Sequence, residues 1–65
     1  MIKASEIKIL LRALGLKQKW VAVQIGLTEG SFKQVMGGRT YLKRDKAIVL
    51  ARILNVKLID IWEDV

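Results

Sequence analysis

The chain has 65 residues, with twelve Lys and Arg against six Asp and Glu, a net charge of +6, and neither Cys nor His. That length makes one small domain, residues 1–65, near the lower limit at which a chain folds without disulfides or metals. The missing residue types exclude a disulfide framework, a conventional zinc site, a thiol nucleophile and the commonest catalytic base, so an enzyme is not expected, nor a cofactor, metal site or small-molecule substrate.

The first predicted element is a helix over residues 5–14. Ile7, Leu10, Leu11 and Leu14 fall at helical spacing, Ser5 can serve as N-cap and Gly15 as the stop. Val21, Ala22 and Ile25 then form an i, i+1, i+4 face ending at Gly26. The run Trp20-Val21-Ala22-Val23 is β-favouring, but the spacing predicts a short second helix.

Thr28 is a good N-cap for a third helix. Phe32, Val35 and Met36 supply its apolar stripe and Gly37-Gly38 its stop, which leaves Glu29, Gly30, Lys33 and Gln34 facing outward. After a loop of Arg39, Thr40, Tyr41 and Leu42, a fourth helix is predicted from Lys43 or Arg44 to Leu54, with Ala47, Ile48, Leu50, Ala51 and Leu54 able to reach a core and Asn55 closing it. Leu58, Ile61 and Trp62 suit a final short helix, although the alternation through residues 56–61 also permits a strand. The expectation is an all-α fold. The longest uncharged run, residues 20–28, is far shorter than the roughly 20 apolar residues of a membrane span. The opening Met-Ile-Lys-Ala-Ser-Glu does not resemble a secretory signal, so a cytoplasmic location is expected.

Charge is distributed unevenly. Residues 1–57 carry all twelve basic side chains and three acidic ones, a net +9, whereas residues 58–65 hold Asp60, Glu63 and Asp64, a net −3. A basic body of this size suits an anionic partner, most simply nucleic acid, although surplus lysine also serves solubility.

Two short helices separated by Gly26-Leu27-Thr28 meet the requirements of a DNA-reading helix-turn-helix. Ala22 permits close approach, Gly26 can adopt φ > 0 in the turn and Leu27 can fill the angle between the helices; a generic αα-hairpin uses the same residue types. The wider pattern is Gly15-Leu16-x-Gln18-x-x-Val21-Ala22-x-x-Ile25-Gly26-Leu27-Thr28, followed by Ser31-Phe32-x-x-Val35, Gly38-Arg39 and Leu50-Ala51-x-x-Leu54-Asn55-Val56-x-Leu58-x-x-Ile61. In order and spacing this resembles the lambda-repressor-like helix-turn-helix proteins, which include the phage Cro and repressor domains.

The resemblance implies a compact five-helix domain that binds double-stranded DNA as a homodimer, with its third helix in the major groove. By position it places base contacts on Thr28, Glu29, Gly30, Lys33 and Gln34, and a phosphate contact on Gln18. Lys33 can donate to guanine O6 or N7, Gln34 can pair bidentately with adenine and Glu29 can accept from cytosine N4. Arg39, Tyr41, Lys43 and Arg44 stand where further phosphate contacts are expected, with solvated surface charge as the plainer account of Lys43 and Arg44.

The chain departs from the family at Leu11 and Met36, where many members carry a buried Arg–Glu pair; both partners are replaced together, which leaves no stranded charge. Lys17 and Lys57 stand where the family often has a Ser-type N-cap. Gly30 lies inside a helix, either to let the backbone approach DNA or as a tolerated small residue. Trp20, Val23, Val49, Ile53, Ile59 and Val65 are apolar beyond the predicted stripes, for core filling or for self-association. Through the resemblance, Ile59, Trp62 and Val65 are the expected dimer contacts. The implied function is that of a phage or prophage Cro-type repressor acting on a palindromic operator. A protein-interaction module such as an antitoxin or regulator partner, using Trp20 and Val23, and a non-specific architectural DNA binder are the alternatives.

Overall fold

The computed structural model describes residues 2–63 and is all-helical. It contains α1 (Ala4–Leu14), α2 (Gln18–Gln24), α3 (Glu29–Met36) and α4 (Arg44–Leu54), followed by a single 3-10 turn, Leu58–Asp60. The expected fifth helix is therefore one turn of 3-10 geometry. The strand reading of the tail is not met either: among the described residues the only β-type pairing is an isolated antiparallel bridge between Ile2 and Trp62.

All four helices end the same way. Gly15, Gly26, Gly38 and Asn55 each adopt positive φ, and the next residue donates its N–H back to the fifth residue before it: Leu16 to Leu11, Leu27 to Ala22, Arg39 to Gln34 and Val56 to Ala51, at 2.8–3.0 Å. This motif satisfies carbonyls that a helix end leaves without partners and turns the chain sharply back. It folds Leu16, Leu27 and Val56 onto the core as partly buried residues.

Helix starts are less uniform. Thr28 caps α3 as expected, its Oγ1 accepting from the Ser31 N–H at 3.1 Å. Ser5 does not cap α1, which begins one residue before it, at Ala4. The cause is tertiary: the Lys3 N–H is bonded to the Ile61 carbonyl at 2.7 Å, while the Lys3 carbonyl accepts the first helical bond from Ile7. Neither Lys17 nor Lys43 makes a side-chain cap. At Lys57 the Asp60 carboxylate reaches back to accept the backbone N–H at 3.1 Å, replacing the missing Ser-type cap.

Every helix contributes to one core, in which Ile7, Val21, Phe32, Leu50, Leu54 and Ile61 are the largest fully buried side chains. α2 is helical despite its β-favouring composition because Val21, Ala22 and Ile25 then share one buried face. Leu11 and Met36 are both buried in this core, and among the described residues no polar or charged residue is, so the core holds no charge that would need a partner. Leu14, expected in the core, is exposed; Ile53, expected outside, packs against it.

The turn from α2 to α3 is the tightest constraint. Gly26 has φ +80°, and a Cβ there would lie 3.1 Å from Lys46 Nζ, which donates to the Ile25 carbonyl at 3.2 Å. Gly26→Ala is expected to destabilise the fold by about 1–2 kcal/mol through the left-handed backbone alone, plus the loss of the displaced Lys46 contact. Gly15→Ala, with φ +69° but open space around it, carries the backbone cost only. Urea midpoints of the two variants measure the difference.

Candidate nucleic-acid interface

Burial of Phe32, Val35 and Met36 fixes the rotation of α3 and turns Glu29, Gly30, Lys33 and Gln34 outward, with Thr28 exposed at the start of the helix. All five expected base contacts therefore occupy accessible positions on one short element. A groove of about 210 Å³ runs between α3 and the entry to α4. Ser31 and Gln34 line one side of it; Thr40, Tyr41, Lys43 and Lys46 line the other.

This groove joins the two classes of expected contact. Gln34 lies beside Tyr41 and Lys43 and is linked to the loop by a hydrogen bond from Thr40 Oγ1 to its Oε1 at 3.3 Å. The amide nitrogen of Gln34 stays free to donate, and Oε1 keeps a second lone pair, as a bidentate contact to adenine requires. Arg39 and Arg44 are exposed but do not line the groove, and Gln18 is half-buried at the first turn of α2. No side chain caps α4, so Lys43 and Arg44 lie at an N-terminus whose dipole already favours an anion.

Two groove residues were not singled out in the sequence. Thr40 reads as an ordinary loop residue, and its partner is six positions away. Lys46 reads as one more surface cation on α4. It is in fact half-buried, and its ammonium sits on the carbonyl end of α2, where a cation is favourable.

Gly30 is helical, and a Cβ added there meets nothing within 4 Å. Nothing inside the protein requires a glycine at this position. Gly30→Ala is therefore expected to raise stability by about 0.5–1 kcal/mol. If the α3 backbone closely approaches DNA, the same variant will bind its site more weakly. Opposite signs in a urea titration and a duplex-binding titration would separate close approach from a merely tolerated residue.

Of the expected dimer contacts, two lie within the described residues, and they differ in exposure. Ile59 is 66% exposed and accessible, whereas Trp62 is only 4% exposed and faces the core. Trp62 is thus corrected from an interface residue to a core residue: its indole N–H is spent on the Leu42 carbonyl at 2.9 Å. Val65 lies outside the described residues. Elsewhere, Trp20 and Val23 are exposed and, with Lys17 and Lys19, line an apolar hollow of about 310 Å³. Ile9, on α1, is also largely exposed.

Among the described residues, no cluster of acidic side chains is arranged to hold a metal ion, and no helix is long and apolar enough to cross a membrane. No protein-family model matches the chain, and neither does any curated protein.

Proposed function

We propose that the protein is a sequence-specific DNA-binding transcriptional regulator in which α2 and α3 act as a helix-turn-helix. The observation that carries this reading is the outer face of α3. It presents Glu29, Gly30, Lys33 and Gln34 beside a groove whose other side supplies Tyr41 and Lys43. Base-edge chemistry and cationic groups for phosphate thus share one side of the molecule, as recognition of duplex DNA requires.

The mechanism is occupancy. α3 enters the major groove, Lys33, Gln34 and Glu29 test base edges, and Gln18, Arg39, Tyr41, Lys43 and Arg44 hold the backbone on either side. Two copies bound as a symmetric dimer would read a palindromic operator with half-site centres about 34 Å apart. The molecule measures 29 × 24 × 19 Å, so two abutting copies have a scale compatible with that spacing. A dimer on its operator blocks polymerase or a rival regulator, in the manner of a Cro-type repressor.

Selection of duplexes from a random-sequence pool at near-physiological salt tests this reading. Enrichment of a two-fold symmetric motif supports it. Retention without enrichment indicates architectural binding instead. A second reading, a protein-interaction module, is favoured by the hollow at Trp20 and Val23, and it predicts no retained DNA.

A further inference from the structure

The loop between α3 and α4 is held by very few contacts. Arg39 closes the end of α3 through its N–H, and the Lys43 carbonyl begins the bonding of α4. Between them, the only hydrogen bond to the backbone of residues 40–42 among the described residues is the one from Trp62 Nε1 to the Leu42 carbonyl. Tyr41 lies edge-on to the same indole, with ring centroids 6.1 Å apart at 63°. Leu42 supplies the loop's one buried side chain.

Trp62 is itself firmly held. Its backbone N–H is bonded to the Leu58 carbonyl at 2.9 Å, it pairs with Ile2, and the carbonyl of the adjacent Ile61 accepts from the Lys3 N–H. The chain's C-terminal segment is thus clamped to its N-terminal one, and the pair presents a rigid donor to the loop. A buried carbonyl with one partner loses much if that partner goes, because nothing replaces the lost hydrogen bond.

We propose that Trp62 is a positioning residue for DNA binding: through the Leu42 carbonyl and the Tyr41 ring it sets the placement of residues 39–43, and so of the phosphate-contacting side chains. This rests on the reading of the groove as a nucleic-acid interface. It places control of affinity in a residue that never touches DNA, and leaves the bases read by Glu29 and Lys33 to α3, whose rotation is set separately by Phe32, Val35 and Met36; Gln34, bonded to Thr40, is the base reader coupled to the loop.

The experiment compares the whole chain with Trp62→Phe, which keeps an aromatic ring and removes the donor. Both are titrated with the selected operator and its single-base variants at several salt concentrations, at a temperature where circular dichroism shows each to be folded. The expected result is an affinity about tenfold lower and a salt slope shallower by about one phosphate contact, with the ranking retained at the base pairs read by Glu29 and Lys33. A purely structural role would lower the melting temperature and leave the affinity and slope of the folded protein unchanged, which would overturn the inference. An altered ranking at the base pairs read by Glu29 and Lys33 would overturn it too, since Trp62 would then act through α3. Wild-type protein that binds no duplex would sink the interface reading itself, and the inference with it. Should Trp62→Phe fail to fold, 3-benzothienylalanine at position 62, a near-isosteric ring with sulfur in place of N–H, gives the same comparison.

Discussion

Phe32→Ala is expected to leave the protein largely unfolded at 37 °C. Phe32 is fully buried and is the largest side chain that α3 contributes to the core. Truncating a buried Phe to Ala costs about 3–5 kcal/mol, the sum of lost transfer free energy and the cavity left behind. A chain of this length has a total stability of about 3–10 kcal/mol, on the usual range per residue. One substitution therefore removes a third to all of it. The effect on the candidate site is equally direct, because Phe32, Val35 and Met36 alone turn Glu29, Lys33 and Gln34 outward. Urea unfolding followed by circular dichroism checks this. The midpoint should fall by about two to three times the shift produced by Gly26→Ala, and Phe32→Leu, which retains most of the apolar volume, should recover a large part of it.

The second large effect concerns the choice of bases. Lys33 is exposed on the outer face of α3 with no ion-pair or hydrogen-bond partner for its side chain among the described residues, so its ammonium is available to a guanine edge. Lys33→Ala is expected to remove about 1–3 kcal/mol of discrimination at one base pair, roughly 5- to 150-fold, without unfolding the protein. Arg39→Ala should behave differently. Every sequence should lose affinity together, and the slope of log K against log salt should flatten by about one unit. Competition titrations of each variant against single-base operator variants distinguish the two patterns. If Lys33→Ala weakens all sequences equally, Lys33 is a backbone contact and base reading belongs to Gln34 and Glu29. Neither substitution touches the core, so both leave the unfolding midpoint nearly unchanged.

The features that were legible from residue order depend on neighbours a few positions apart. Helix ends could be read because Gly15, Gly26, Gly38 and Asn55 tolerate positive φ, and an i to i−5 hydrogen bond needs only the adjacent turn. The Thr28 cap could be read for the same reason. The outer face of α3 followed from the 3.6-residue period of Phe32, Val35 and Met36, which is a property of one helix.

What tertiary structure alone decided involves partners far apart in sequence. Ser5 has the right chemistry for a cap, yet α1 starts earlier because Lys3 is bonded to Ile61, 58 positions later. Lys46 looks like a surface charge and is held on Ile25, 21 positions earlier. Trp62 looks like an interface residue but is buried in the core, with its indole N–H bonded to Leu42, 20 positions earlier. In each case a backbone group needed a hydrogen-bond partner, and the local sequence did not say which distant group would satisfy it. Local order thus determined where the helices stop and which face of α3 is presented. The pairing of residues 2–3 with residues 61–62 decided how the loop beside that face is held, because only the folded chain brings a buried donor to a buried carbonyl.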